Sequence, residues 1–110
     1  MQENDLWLQE MGQRIMMRRK KLGMTQEALA EKAELTTQFV SYAEAGKRAM
    51  RPENLLKIAH TLQVSADYLL TGEIIDRDML LLSEKMKKLS PAQFRGVESI
   101  VDECCELLYK

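Results

Sequence analysis

Helix starts are marked in this chain by one pattern that recurs four times. In each copy a hydroxyl residue follows an apolar residue, and a second apolar residue stands four positions after the hydroxyl. The hydroxyl oxygen can accept a hydrogen bond from a first-turn backbone N–H, while the two apolar residues pack across the start of the helix. The pattern therefore predicts short helices with sharply defined starts. The copies are Met24-Thr25-Leu29, Leu35-Thr36-Val40, Val64-Ser65-Leu69 and Leu89-Ser90-Phe94.

The rest of the chain also favours helices. Gly (5) and Pro (2) are scarce, while the helix formers Leu, Met, Ala, Glu and Lys abound. No segment shows the sustained alternation of apolar and polar residues that marks a strand. We predict an all-α protein, with a five-helix domain at 1–72 (core 10–72) and a C-terminal helical hairpin at 73–110. The predicted helices span about 5–21, 26–33, 37–45, 52–62, 66–70, 75–89 and 91–108.

Charge is distributed unevenly along the chain. The net charge is −1, but residues 12–51 hold nine cations and four anions, giving +5. The other residues hold seven cations and thirteen anions, giving −6. The net charge argues against nonspecific binding of nucleic acid, whereas a basic segment within a faintly acidic protein favours a localised contact with a polyanion.

The helix predicted at 37–45 lies in this basic segment, yet its polar face is uncharged. A solvated helix face usually carries Lys and Glu, and this one carries side chains that form hydrogen bonds without charge. Only three or four residues separate the helix from the one before it, and short helices joined so tightly meet at a steep angle, as in a helix-turn-helix. Ala30 and Ala33 are small enough for the close packing that this requires. The polar face consists of Thr37, Gln38, Ser41 and Tyr42.

Four segments resemble the phage-repressor (Cro-type) helix-turn-helix family, also called the xenobiotic-response-element (XRE) type. They are TQEALA (25–30), TTQFVSYAEAGKR (36–48), LLKIAHTLQVS (55–65) and YLLTG (68–72). The resemblance extends from Gly12 to Gly72 and implies a repressor-like domain whose helix at 37–45 enters the major groove of DNA. Amides and hydroxyls can match the donors and acceptors of base edges. The base-reading residues that the resemblance implies are Thr37, Gln38, Ser41 and Tyr42.

The resemblance also assigns roles to residues around the reading helix. Arg19 and Glu44 match a family ion pair that orients this helix, so it implies a structural pair rather than a DNA contact. In the family a glutamine at the start of the preceding helix binds a phosphate against the helix N-terminus, and cations after the reading helix suit flanking phosphates. The phosphate-binding residues implied are Gln26, Lys47, Arg48 and Arg51.

Two residues depart from the family pattern. Glu34 stands at a turn position that glycine often takes, and a positive φ there would cost Glu about 1 kcal/mol. Phe39 stands on the reading helix where smaller residues are common, and it either contacts a thymine methyl group or packs inward. These departures affect the predicted operator more than the predicted fold.

Both C-terminal helices carry apolar residues at alternating spacings of three and four, which gives each a heptad-like seam. The hairpin is too small to bury both seams alone, so it packs on the N-terminal domain, on a second copy or on both. We favour a homodimer, because two reading helices about one DNA turn (~34 Å) apart would match a palindromic operator. The seams are Ile75, Met79, Leu82, Met86 and Leu89, and then the predicted dimerisation residues Phe94, Val97, Val101, Cys104 and Leu108.

The sequence thus predicts a dimeric repressor that binds double-stranded DNA. The alternative is an antitoxin-like autoregulator whose C-terminal hairpin binds a partner protein. Family association also suggests control of a mobile element.

An enzyme is not expected, because there is one histidine, His60, and neither a metal-ligand cluster nor a Gly-rich phosphate loop. We predict no cofactor and no metal. The adjacent Cys104 and Cys105 cannot readily bridge each other. No apolar run approaches the roughly 18 residues of a membrane span, and the first residues are polar and acidic, so we expect a cytoplasmic protein without a membrane partner.

Overall fold

The computed structural model describes the backbone of residues 3–108 as helices and short connections. Residues 1–2 and 109–110, at the outer ends of the two predicted domains, lie outside the described residues. The helices are α1 (Glu3–Lys21), α2 (Gln26–Lys32), α3 (Thr37–Glu44), α4 (Pro52–Leu62), α5 (Ala66–Thr71), α6 (Asp76–Met86) and α7 (Pro91–Leu108). No strand occurs between residues 3 and 108, so the all-α prediction is confirmed. The largest difference in bounds is at α6, which ends at Met86 instead of residue 89.

The recurring hydroxyl pattern begins four of these helices as the sequence predicts. Each hydroxyl oxygen accepts a hydrogen bond from the backbone N–H three residues later. At the start of α7 the bond is reciprocal, because the Gln93 side chain accepts from the Ser90 N–H at 3.0 Å. The four bonds join Thr25 to Ala28 (3.0 Å), Thr36 to Phe39 (3.0 Å), Ser65 to Tyr68 (2.9 Å) and Ser90 to Gln93 (3.2 Å).

One apolar cluster, formed by residues of all five helices from α1 to α5, is the core of this part of the chain. α1 packs against α3, α4 and α5, and α2 packs against α3 and α4. Val64 is half-buried and packs against the edge of the cluster. The buried residues are Met11, Ile15, Leu29, Ala30, Val40, Ala43, Leu55, Ile58, Ala59, Leu62 and Leu69.

Gly12 allows α1 and α3 to approach closely, which its sequence context does not reveal. A Cβ atom at this position would lie 2.4 Å from the Ala43 carbonyl oxygen and 2.5 Å from that of Glu44. Both contacts are to backbone, so the helices would have to move apart. Gly12 is therefore required by packing rather than by chain conformation.

Gly12→Ala should destabilise the domain, although alanine is favoured over glycine inside a helix by about 1 kcal/mol. We expect a net loss of about 1–3 kcal/mol in the free energy of unfolding, since the overpacking is against rigid backbone. Urea unfolding of wild type and variant measures it. Gly96→Ala in α7 is the matched control, because nothing lies within 4 Å of a Cβ there. A stabilised Gly12→Ala protein would contradict the close approach.

The described chain divides into two compact units, one ending at Met79 and the other beginning at Leu80. The first contains α1 to α5 and the start of α6. The second contains the remainder of α6 and α7, and among its described residues none is buried. The boundary at 72/73 between the DNA-binding domain and the hairpin remains a prediction.

Within the first unit, Asp78 ties the start of α6 to the start of α5. One carboxylate oxygen accepts from the Ser65 backbone N–H at 2.8 Å, and the other accepts from the Ser65 hydroxyl at 2.8 Å and the Ile75 N–H at 3.0 Å. Burial raises the pKa of Asp78, but these hydrogen bonds and the positive charge of Arg18 outweigh it, so the pKa is lowered overall.

Asp78→Asn should lower the free energy of unfolding at neutral pH by about 1 kcal/mol, because an amide oxygen replaces only part of the acceptor capacity. Since the folded-state pKa is lowered, the carboxylate stabilises the fold above its unfolded-state pKa of about 3.9 and loses that effect as pH falls through the folded-state value. Urea midpoints of both proteins, measured from pH 7 down to about 3, should therefore converge. A constant difference across that range would contradict a role for the ionised carboxylate.

No helix within residues 3–108 is both long and apolar enough to cross a membrane.

Candidate nucleic-acid interface

α2 and α3 are joined by a tight turn. Ala33, directly after α2, is 3% exposed, and α2 and α3 pack against each other. Glu34 adopts φ 58°, the left-handed conformation that the sequence suggested for this glycine-like position. The Leu35 N–H then donates to the Ala30 carbonyl at 2.8 Å and closes the turn.

A buried ion pair connects α1 to the end of α3. Arg19 Nε lies 2.6 Å from one Glu44 oxygen and Arg19 Nη2 lies 3.0 Å from the other. The Glu44 side chain is 4% exposed and that of Arg19 is 10% exposed. The hydrogen bond to Glu44 raises the pKa of Arg19, burial lowers it, and the charge of Glu44 raises it further, so the pKa is raised overall. Two parallel bonds fix the rotation of α3 relative to α1.

Gln26, the first residue of α2, belongs to the same network. Its side-chain nitrogen donates to Glu44 Oε1 at 3.0 Å, and the oxygen thereby accepts from both Gln26 and Arg19. The sequence assigned Gln26 only to phosphate and Glu44 only to Arg19, so it missed this bond. No local pattern could have indicated it, because the two residues are 18 positions apart on different helices.

The uncharged polar residues of α3 lie on the face opposite its core contacts. Val40 and Ala43 are buried, whereas Thr37 and Gln38 are exposed and Ser41 is half-buried. Tyr42 is also half-buried, and its hydroxyl accepts a hydrogen bond from Gln38 Nε2 at 3.0 Å. Donors and acceptors are thus concentrated on one side of one turn of helix.

Cations flank this face. Lys47 Nζ lies 5.5 Å and the Arg48 guanidinium carbon 6.0 Å from the centroid of the Tyr42 ring, distances at which a cation is attracted to the ring. Arg51 is exposed, and its distance of 4.0 Å from Glu53 makes only a weak surface pair. These three positive charges remain available to an outside anion.

A recess of about 500 Å³ opens beside the polar face of α3. Phe39 packs partly against the core cluster and lines this recess, so both sequence-based alternatives for Phe39 stay open. The recess is apolar at Phe39, Ala43 and Met50, and polar at Gln38, Tyr42, Arg48, Arg51 and Asn54.

Three other cations of the basic segment bind within the protein. Arg14 Nη1 donates to the Leu69 carbonyl at 3.1 Å, and Arg18 Nε donates to the Leu62 carbonyl at 3.0 Å. These bonds give hydrogen-bond donors to carbonyl groups near the C-terminal ends of α5 and α4, which have no partner within their own helix. Arg19 is the third, because it binds Glu44. The net charge of +5 over residues 12–51 is therefore larger than the positive charge that this segment presents to solvent.

The predicted dimerisation residues lie along α7. Leu108 is 79% exposed, Val101 52% and Phe94 37%, while Cys104 is exposed and Val97 half-buried. Within the described residues no group of three or more His, Cys, Asp or Glu side chains is arranged to hold a metal ion. Cys104 and Cys105 are free thiols.

Two short capped helices at a tight turn, with an uncharged hydrogen-bonding face flanked by cations, define the helix-turn-helix class. A family model described as "Helix-turn-helix" matches residues 15–69, half of the chain. The chain belongs to this helix-turn-helix family of phage-repressor (XRE) type.

Individual proteins of this family are also similar to the chain. Repressor protein C2 of Salmonella phage P22 is 41% identical over 66 residues, which are 60% of this chain and 31% of the repressor. The chain thus spans about a third of the length of that relative. A crystal structure of the P22 c2 repressor in complex with synthetic operator 9T in the presence of Tl+ matches with a TM-score of 0.57 and 42% identity, over 59% of this chain and 98% of that one.

Two further solved structures are similar. The restriction-modification controller protein C.AhdI from Aeromonas hydrophila has a TM-score of 0.55 and 34% identity, over 56% of this chain and 94% of its own. A chain of the SinR protein/SinI protein complex has a TM-score of 0.56 and 26% identity, over 87% of this chain and 98% of that one. Since 87% of 110 residues is about 96, this match extends beyond the 72 residues of the predicted first domain.

Proposed function

We propose that this protein is a sequence-specific, double-stranded DNA-binding transcription regulator, acting as a dimeric repressor on a palindromic operator. The observation that carries the proposal is the exposed polar face of α3, which is uncharged and flanked by three outward-facing cations. The operator complex of the P22 repressor, which is 42% identical, supports the same choice of ligand. Relatives named as a repressor and a controller protein are regulators, so we propose no catalytic activity.

Base reading is assigned to the side chains that project from α3. An amide such as that of Gln38 places N–H donors beside an acceptor oxygen and suits the edge of adenine, while hydroxyl groups of Thr37, Ser41 and Tyr42 contact several bases. A carboxylate on this face would be repelled by phosphate, and a face of lysines would bind every sequence alike. The composition of the face is therefore what a selective reader requires.

Phosphate binding is assigned to the residues around that face. Lys47 and Arg48 follow α3 and Arg51 precedes α4, so phosphates on either side of the groove can be neutralised while α3 lies within it. Such contacts position the protein and make its affinity depend on salt, but they carry no sequence information. Gln26, at the start of α2, is assigned to a further phosphate.

Selection from a random duplex pool tests the proposal. Wild-type protein should enrich a palindrome whose half-sites are about one helical turn (~34 Å) apart. Enrichment of a single half-site would support base reading by α3 but contradict the proposed dimer. Binding that enriches no sequence and varies only with salt would show that α3 does not read bases.

Dimerisation is assigned to the apolar face of α7, which one copy of the chain leaves exposed. Large apolar side chains grouped on one helix face mark an interaction surface. A second copy suits it best, because two joined reading domains bind a palindrome far more tightly than one.

Deletion of residues 91–110 should lower operator affinity by roughly 100-fold, because each reading domain would then bind its half-site alone. Thermal unfolding should show that residues 10–72 stay folded. Val97→Glu should have a similar effect on affinity and on dimer mass in light scattering, whereas Ser99→Glu, on an exposed position of the same helix, should not. Unchanged affinity after the deletion would defeat the proposed dimer.

A protein partner is the second candidate for the hairpin. The match to a chain in the SinR/SinI complex favours it, because that match extends beyond the predicted first domain. The antitoxin-like autoregulator is not favoured, because the named relatives are a repressor and a controller protein. Phage and restriction-modification relatives support control of a mobile element, with the protein in the cytoplasm beside its DNA.

A further inference from the structure

We propose that Glu44 is a positioning residue for DNA binding: its carboxylate holds the Gln26 amide in the orientation that donates to a phosphate. The inference rests on the proposed DNA-binding function and adds a role to an ion pair that otherwise only stabilises the fold. It is carried by the bond of 3.0 Å from Gln26 Nε2 to Glu44 Oε1.

The acceptor determines the orientation of the amide. An ionised carboxylate can only accept hydrogen bonds, so the Gln26 nitrogen, not its oxygen, must face Glu44. One N–H of the amide is then engaged, and the second N–H remains for an outside acceptor. An unrestrained glutamine would sample orientations in which its oxygen points outward and cannot bond to a phosphate, and it would lose rotamer freedom on binding.

The charge of Glu44 would oppose an approaching phosphate if it stood alone. Arg19 removes this obstacle, because Nε and Nη2 both bind the carboxylate at 2.6 and 3.0 Å. Arg19 is itself fixed by the bond from Nη1 to the Met24 carbonyl at 2.9 Å, close to the start of α2. Gln26 thus donates its hydrogen bond to a buried ion pair with no net charge rather than to an exposed anion.

The placement of the three residues links two DNA contacts. Glu44 is the last residue of α3, Gln26 the first of α2, and Arg19 lies in α1. The carboxylate that fixes the rotation of the reading helix therefore also fixes the phosphate contact. A shift of α3 would move Gln26, so that base reading and phosphate binding are set together.

A mutant cycle on operator affinity tests this. Gln26→Ala should weaken binding about three- to tenfold, the effect of one hydrogen bond. Arg19→Met with Glu44→Leu replaces the buried pair by apolar side chains, an exchange that often preserves folding. This double variant also loses the bonds that fix the rotation of α3, so it should weaken binding at least as much as Gln26→Ala. The triple variant should bind no more weakly than the double variant, because the Gln26 amide has already lost its support. Losses that multiply would overturn the proposal.

An operator series with single uncharged methylphosphonate linkages supplies the specific readout. The phosphate whose neutralisation weakens wild type but not Gln26→Ala is the Gln26 contact. The Arg19→Met, Glu44→Leu protein should also be insensitive at that phosphate, which a purely structural role of Glu44 would not produce. Wild-type sensitivity in that protein would overturn the proposal.

A measurement on the free wild-type protein does not depend on any variant folding. The Gln26 side-chain amide should be as rigid as the backbone by NMR, with an order parameter of about 0.85, whereas that of exposed Gln13 should fall below about 0.6. Equal mobility of the two amides would overturn the proposal. If wild type selects no operator, the proposed DNA-binding function fails, and this measurement still decides whether Glu44 holds Gln26.

Discussion

Alanine at both Gln38 and Tyr42 should abolish sequence-selective DNA binding while leaving the fold intact. Each good base contact contributes about 1–3 kcal/mol of discrimination, so the loss of two should weaken operator binding by about 2–6 kcal/mol, or roughly 30-fold or more. Gln38 is exposed and Tyr42 is only half-buried, so the free energy of unfolding should fall by no more than about 1–2 kcal/mol. The measurement is a titration of the selected operator with both proteins.

Nonspecific DNA provides the internal control for this double variant. Lys47, Arg48 and Arg51 remain, so affinity for random duplex and its dependence on salt should be nearly unchanged. Gln13→Ala, an exposed glutamine outside α3, should bind the operator as wild type does. If the double variant still selects the wild-type motif, Gln38 and Tyr42 do not read bases. If random-duplex affinity falls equally, the two side chains contact the backbone instead.

Glu44→Ala should be the most destabilising single substitution among these residues. It leaves the Arg19 guanidinium buried without its counterion, a change that costs about 3–5 kcal/mol. For a domain of this size, about 3 kcal/mol corresponds to a fall in Tm of more than about 10 °C. Thermal unfolding followed by circular dichroism measures it.

A surface ion pair gives the matched control. Arg95 lies 3.0 Å from Glu98, but their side chains are 72% and 48% exposed. Glu98→Ala should therefore change stability by less than about 1 kcal/mol. Similar effects of Glu44→Ala and Glu98→Ala on stability would contradict the burial of the pair. They would show that water reaches Arg19 and Glu44 in solution, although the Glu44 side chain is only 4% exposed in the structure.

Local signals in the sequence predicted the helices well. Each cap bond joins residues three positions apart, so its donor and acceptor can be read from one short segment. The uncharged face of α3 could also be read locally, since i and i+4 residues share a helix face. At α6 the prediction was too long, because apolar spacing continued to residue 89 whereas the helix ends at Met86.

The bonds between helices were not predictable in the same way. Arg14 reaches a carbonyl 55 residues away and Arg18 one 44 residues away, and both had been counted as part of a basic segment. In the sequence Asp78 looks like an ordinary acidic residue in the first turn of a helix. Its hydrogen bonds to Ser65, 13 residues away, appear only in the structure. The ion pair of Arg19 and Glu44 was anticipated only because the family has one.

The sequence by itself determined where helices begin and which helix carries an uncharged polar face. These properties depend on hydrogen bonds and apolar spacing within about one turn, and such interactions form wherever the segment is placed. Only the tertiary structure decided that Gly12 must have no side chain, that Arg14 and Arg18 serve carbonyl groups of other helices, and that Glu44 holds Gln26. Those contacts exist only after the five helices α1 to α5 have packed around one core, because packing alone brings residues so distant in sequence within hydrogen-bond reach.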